Sequence, residues 1–227
     1  LAFGSRGIVS PSSPEYRQAA TAIAARLAKR YAEHPAVVLW HVHNEYGTPV
    51  TESYDDASVG AFRQWLQQRH SSLDALNAAW GTNFWGQRYG SWDEIDAPRT
   101  SGTASNPAHR LYFQRFSSAA LLECFTAERD AIREHAPQPI TTNFMAGMCP
   151  SVDLWKWADE VDIVANDHYL SAEQENNHIQ LSRAADLTRS LARGKPWILM
   201  EHSTSAVNWQ PRNIAKRPGE MRRNSLA

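Results

Sequence analysis

Strand-like segments alternate with helical ones along the chain. Each strand runs into polar, chemically capable residues at its C-terminal end, and no glycine-rich phosphate loop follows any of them. Together these observations predict an α/β chain with parallel strands, specifically an incomplete (β/α)8 TIM barrel. A doubly wound sheet also binds ligands at that edge, but a phosphate loop would mark it. Four strands are legible where a closed barrel needs eight.

The elements follow in order. Residues 1–3 read as the tail of a strand. Ser12 or Ser13 caps a helix with Pro14 in its first turn, and Tyr16, Ala20, Ile23, Leu27 and Tyr31 recur on one face until His34-Pro35 stops it. Residues 36–43 read as a buried, β-branched strand ending in Asn44-Glu45. Residues 47–105 form an irregular insertion with two helices. One carries Val59, Phe62 and Leu66; the other carries Leu73, Leu76 and Trp80 and ends at Gly81. Asn106-Pro107 opens a long helix with Tyr112, Phe116, Ala119, Leu122 and Phe125 on one face. Residues 140–143 are the next strand. A short helix around Leu154 and Trp157 leads to a strand at 161–165, followed by Asn166-Asp167-His168-Tyr169. Leu181, Ala184, Leu187 and Leu191 mark another helix closed by Gly194; residues 196–200 form the fourth strand, before Glu201-His202. The stretch from Pro218 to Leu226 opens a last helix.

Composition narrows the function. The chain has 227 residues, 42% of them hydrophobic, which is enough to bury a core without disulfides or metal. A formal net charge of −1 disfavours a backbone-tracking nucleic-acid binder. No apolar run is long enough to span a bilayer. Two cysteines, Cys124 and Cys149, leave no disulfide framework and no four-thiolate zinc site. Nine tryptophans exceed ordinary usage; flat aromatic faces suit sugar rings, and they also fill cores.

Glu45 and Glu201 stand at the ends of the first and last legible strands. Retaining glycosidases need two carboxyl groups about 5–5.5 Å apart, one as acid/base and one as nucleophile. Each glutamate could equally cap a helix or pair with an arginine. His41 and His43 offer a rival, because an H-x-H pair on a strand can serve a metal-dependent barrel hydrolase. Two residues in from a strand end, however, buried and hydrogen-bonded imidazoles are the better expectation.

The segment His34-Pro-Ala-Val-Val-Leu-Trp-His-Val-His-Asn-Glu-Tyr-Gly47 resembles the acid/base segment on strand four of glycoside hydrolase family 42 β-galactosidases. Pro196-Trp-Ile-Leu-Met-Glu-His-Ser-Thr-Ser-Ala-Val-Asn-Trp-Gln-Pro-Arg-Asn213 is similar to that family's nucleophile segment on strand seven. Residues 75–85, 92–95 and 166–169 also resemble the family, in order and at its spacing. The resemblance implies a retaining β-galactosidase acting on terminal non-reducing β-D-galactosyl residues. Glu45 would be the acid/base and Glu201 the nucleophile. Arg6, Asn44, Tyr169 and Trp209 would bind substrate.

On this reading residues 1–227 are a partial catalytic barrel, about strand three to helix seven, and the isolated chain is expected to be inactive. The resemblance further implies small-molecule β-galactosides as substrates and no cofactor. It also implies a homotrimer for the full-length protein; from charge and the short apolar runs no nucleic-acid or membrane partner is expected, and a cytoplasmic location is expected. A metal-dependent hydrolase using His41 and His43, or a sugar-binding relative without catalysis, remain the alternatives. One departure concerns metal. Many family members carry a cysteine zinc site, whose positions here read Ser10, Ser53, Asp55 and Ser58, so no zinc is expected.

Overall fold

The computed structural model describes residues 9–100, 102–148, 152–207 and 210–226. The predicted strand tail at 1–3, Arg6, Cys149 and Trp209 lie outside them. The chain divides into two compact units, one of residues 1–30 and 47–135, the other of 31–46 and 136–227.

The first unit is helical. Helix α1 (Pro14–Tyr31) starts where Ser13 Oγ accepts from the Tyr16 amide at 3.2 Å. Its predicted apolar face is not the buried one. Ala24 and Ala28 are buried, whereas Ile23 is 59% exposed and Leu27 47%. Periodicity finds an apolar stripe, but the buried positions are the alanines that follow Ile23 and Leu27 in sequence.

Helices α2 (Asp56–Gln67), α3 (Leu73–Trp80) and α4 (Pro107–Arg133) supply the core of this unit. Phe62, Leu66, Leu76, Ile95 and Phe113 are fully buried in one cluster with Trp80 and Phe116. Gly81 ends α3 in the left-handed region at φ 62°, where a side chain would be strained. Asn106 caps α4 through its side-chain oxygen, which accepts from Ala108 and His109 amides. Of the face predicted on α4, Phe116 and Phe125 are buried and Tyr112, Ala119 and Leu122 are half-buried.

The positions of the cysteine zinc site form a hydrogen-bonded knot in this unit. Asp55 caps α2, with Oδ1 accepting from the Ser58 amide at 2.8 Å. Its Oδ2 accepts from Ser53 Oγ at 2.5 Å and Ser58 Oγ at 3.4 Å, while Ser10 Oγ lies 3.2 Å from Ser58 Oγ. Burial pushes the Asp55 carboxyl up, but bonds from Ser53, Ser58 and Ser10 outweigh it and hold the group below its usual range. Three hydroxyls and one carboxylate that already satisfy one another do not fit a zinc ion, which prefers thiolate and imidazole.

All strands among the described residues belong to the second unit. β1 (Trp40–His41) pairs in parallel with β2 (Ile140–Thr141); after Thr142 the same segment continues as β3 (Asn143–Phe144). β3 pairs with β4 (Ala165–His168), and β4 with β5 (Ile198–His202), all in parallel. Helices α5 (Leu154–Ala158) and α6 (Asn177–Leu191) connect them, and α7 (Glu220–Leu226) follows.

Three predicted strands are displaced. Regular pairing in the first begins at Trp40 rather than residue 36, and Val38 is 74% exposed, so the segment is not buried throughout. The third begins only at Ala165, the last residue of its predicted span, and the fourth at Ile198; both then run further than predicted, with Asn166, Asp167 and His168 inside β4 and Glu201 and His202 inside β5. Apolar runs mark where a strand is greasy, whereas the ladder continues through polar residues that have partners on the sheet.

The Asp55 knot yields a stability test. Asp55→Ala should cost about 1–3 kcal/mol, since it removes a helix cap and leaves the Ser53 and Ser58 hydroxyls short of an acceptor. Denaturant unfolding of the complete protein measures this, and chelators should leave the midpoint unchanged. A neutral substitution would show that the knot does not hold the loop.

Candidate active site

The site lies in the second unit, at the C-terminal ends of its strands. Its centre is the side-chain amide of Asn143, which is 2% exposed. The Glu45 backbone amide donates to Asn143 Oδ1 at 2.8 Å, and this fixes which way the amide faces, because a backbone N–H can only donate. His41 Nε2 also lies 2.9 Å from that oxygen, so it carries the proton there. Asn143 Nδ2 therefore points at acceptors: Asn44 Oδ1 at 3.0 Å, Asp167 Oδ2 at 2.6 Å and Glu201 Oε1 at 3.3 Å.

Glu45 sits on a turn after β1 with a left-handed backbone, φ 51°, an uncommon state for a non-glycine residue that the surroundings must hold in place. Three anchors do so. Asn143 binds its amide, Asn44 Nδ2 donates to Glu45 Oε2 at 3.3 Å, and the next residue, Tyr46, packs its ring 5.2 Å from that of buried Trp157. Glu45 is itself buried.

Glu201 comes from β5. A register shift in the β4–β5 ladder pairs Asn166 with Leu199 but Asp167 with Glu201, skipping Met200. This local irregularity re-aims the strand and sets Glu201 opposite Asp167. The Tyr169 hydroxyl donates to Glu201 Oε2. One carboxylate oxygen each from Glu45, Asp167 and Glu201 lie within 4.8 Å of one another. Such a trio could offer oxygens to a cation, yet the Asn143 amide and the Tyr169 hydroxyl already aim donors at two of the three carboxyls.

Electrostatics differ across the site. Burial and then the charge of Glu201 push the Asp167 carboxyl up to about 7. Burial above all, and then bonding to Glu201, raise the Tyr169 hydroxyl and keep it a donor. Burial and the neighbouring His202 pull His168 down to about 4, so its imidazole is neutral.

Of the residues singled out from sequence, Asn44, Glu45, Tyr169 and Glu201 come together here. Arg6 and Trp209 lie outside the described residues. His41 and His43 do not converge. His41 is exposed and bound to Asn143, while His43 is exposed, stacks on Tyr46 at 4.3 Å and bonds its own neighbour's carbonyl. The expectation of buried imidazoles was therefore wrong on exposure and right on hydrogen bonding. The departure from the strand explains it: His43 has φ 56°, so the two rings do not share a pleated face. Among the described tryptophans, Trp80 and Trp157 fill cores. Sequence reasoning missed Asn143 and Asp167 as site residues, although both stood at or just past strand ends, where such residues gather.

The chain is similar to proteins of known family. The glycoside hydrolase 42 β-galactosidase family model matches residues 1–227. A β-galactosidase of an Arthrobacter species is 53% identical over all of this chain and 33% of its own length, and one from Geobacillus kaustophilus is 43% identical over all of this chain and 34% of its own. The crystal structure of a β-galactosidase from Bacillus circulans sp. alkalophilus superposes with a TM-score of 0.91 at 42% identity, covering all of this chain and 34% of that one. That of a cold-adapted β-galactosidase from Rahnella sp. R3 gives 0.94 at 35% identity, covering all of this chain and 33% of that one. The chain thus spans about a third of the length of these relatives.

The His168 environment predicts a pH dependence of stability. Its folded value of about 4 lies below the ordinary 6.5, so the unfolded chain binds the proton more tightly. The stability it contributes is complete above about pH 6.5 and is lost as pH falls toward about 4, by at most about 3 kcal/mol. His168→Gln should flatten that slope in denaturant titrations of the complete protein; an unchanged slope would count against a neutral buried imidazole.

Proposed function

The chain belongs to the glycoside hydrolase family 42 β-galactosidases, and from that premise we propose that the complete protein hydrolyses terminal non-reducing β-D-galactosyl residues with retention. The observation that carries this reading is the approach of Glu45 and Glu201 oxygens to within 4.8 Å. Retaining catalysis needs carboxyls about 5–5.5 Å apart, and inverting catalysis about 6.5–9.5 Å, to leave room for water.

In the proposed mechanism Glu201 attacks the anomeric carbon while Glu45 gives its proton to the departing oxygen. A covalent glycosyl–enzyme ester results. Glu45, now a carboxylate, takes a proton from water as that water attacks the ester, and both residues return to their starting states. Tyr169, bonded to Oε2 of Glu201, orients the nucleophile. Asn44, bonded to both Glu45 and Asn143, stands where a sugar hydroxyl would reach it. Arg6 and Trp209 complete the proposed substrate contacts.

The proposal extends to architecture. β1, the β2–β3 segment, β4 and β5 are strands four to seven of an incomplete (β/α)8 barrel that runs from about strand three to helix seven, with 47–105 as a helical insertion. It includes a small-molecule β-galactoside substrate, a homotrimer, a cytoplasmic location, and no nucleic-acid or membrane partner. Among the described residues no helix is long and apolar enough to cross a membrane. The rival metal site at His41 and His43 is disfavoured, because those two rings are held by different partners.

Substitution separates the two glutamates. In the complete protein Glu201→Ala should lower kcat by about three orders of magnitude or more on every galactoside, and Glu45→Ala should spare aryl galactosides with very good leaving groups. Added azide should restore turnover in both variants, giving α-galactosyl azide with Glu201→Ala and β-galactosyl azide with Glu45→Ala. The same azide anomer from both variants, or equal loss on good and poor leaving groups, would overturn the assignment.

A further inference from the structure

The retaining cycle leaves one buried carboxyl of the site without a part. Asp167 is fully buried, with Oδ2 held by Asn143 Nδ2 at 2.6 Å and Oδ1 without a hydrogen-bond partner among the described residues. The shifted register sets it opposite Glu201, and like charges on facing positions destabilise a sheet. The groups around it are Glu45 after β1, Asn143 on β3, Glu201 on β5, and His168 and Tyr169 following it on its own segment. His41 stands behind Asn143, and His202 follows Glu201. None of the described lysines or arginines forms an ion pair with it. Two of its near neighbours are therefore acids, and no described lysine or arginine pairs with it to offset them.

Resting on the retaining reading above, we propose that Asp167 is a positioning residue that keeps a proton throughout the cycle, so that three neighbouring carboxyls share a single negative charge. Before reaction Glu201 carries that charge and Glu45 its proton. After the first step Glu201 is a neutral ester and Glu45 is the carboxylate, its proton having left with the aglycone. The total is one negative charge in both states, and a neutral Asp167 within 4.8 Å of both glutamates keeps it at one. A second charge in this buried volume would repel Glu201 from its place beside Tyr169.

The proton is compatible with the hydrogen bonding. On Oδ1 it leaves Oδ2 as the acceptor for Asn143, whose other amide hydrogen then serves Asn44 and Glu201. The push of the Asp167 carboxyl up to about 7, by burial first and by Glu201 second, outweighs the bonds from the Asn143 side chain and the Glu201 backbone amide that favour the ionised form, and agrees with this. The aspartates at 55 and 96 are instead held below their usual range, so Asp167 is distinct among the described aspartates with a resolved shift.

The test uses the complete protein and two readouts. Infrared difference spectra across neutral pH should show the C=O band of a protonated carboxylic acid. That band should shift on carbon-13 labelling of aspartate, stay put on labelling of glutamate, and vanish in Asp167→Asn. In kinetics Asp167→Asn, neutral and isosteric, should keep kcat/KM within about tenfold of wild type below pH 7 and lose the ionisation near pH 7 from its pH profile. Asp167→Ala, which leaves Asn143 without its acceptor, should fall about a further tenfold to a hundredfold. A wild-type spectrum without an aspartate-derived band overturns the proposal and needs no variant to fold. Equal loss in the asparagine and alanine variants also overturns it, because the carboxylate itself would then be required. The infrared readout does not depend on turnover, so a complete protein without galactosidase activity would refute the retaining reading and leave the proton separately decided.

Discussion

One buried amide organises the site. Asn143 can present its oxygen to donors or its nitrogen to acceptors, and the Glu45 backbone N–H settles the choice at 2.8 Å. With the oxygen so engaged, the nitrogen must face Asn44, Asp167 and Glu201. A single side chain from β3 thereby ties the turn after β1 to residues on β4 and β5. Buried polar groups are costly when unpaired, and this one is fully used. The mutual distance of the carboxyls follows from the reach of one amide rather than from chance packing.

The strands had to depart from regularity to permit this. The ladder between β4 and β5 slips by one residue at Asp167, which puts two acids on facing positions. The chain at Glu45 adopts a left-handed backbone that favours glycine. Each feature opposes stability locally, and each lies beside the carboxyl it aims. The surrounding apolar contacts offset the cost: Tyr46 against Trp157, and Phe144 against the same indole at 6.4 Å. The knot around Asp55 shows a different economy in the first unit. There hydroxyls and a carboxylate satisfy one another and secure the start of α2 without thiolates.

Much of this was legible in the residues. Asn106-Pro107, Gly81 and Ser13 mark helix ends because capping chemistry is local, and the structure places the ends there. Glu45 and Glu201 stood out because each follows an apolar run. Other features depend on contacts between distant segments. Nothing in the stretch around Asp167 announces a slipped register, because the slip exists only against β5. Asn143 looks like an ordinary strand-end asparagine until Glu45, Asp167 and Glu201 surround it. The face of α1 was misread for a related reason. Ile23 and Leu27 give the larger apolar signal, but the alanines beside them are the residues that are buried.

The central claim is that the site held by Asn143 makes a covalent ester on Glu201. The most direct measurement is mass spectrometry of the complete protein after treatment with a 2-deoxy-2-fluoro-β-galactoside bearing an activated leaving group, which slows breakdown of the intermediate. The account predicts one fluorogalactosyl unit per chain, on the peptide containing Glu201 and at that residue. Release of the leaving group with no adduct, or an adduct on another carboxylate such as Asp167, would contradict it.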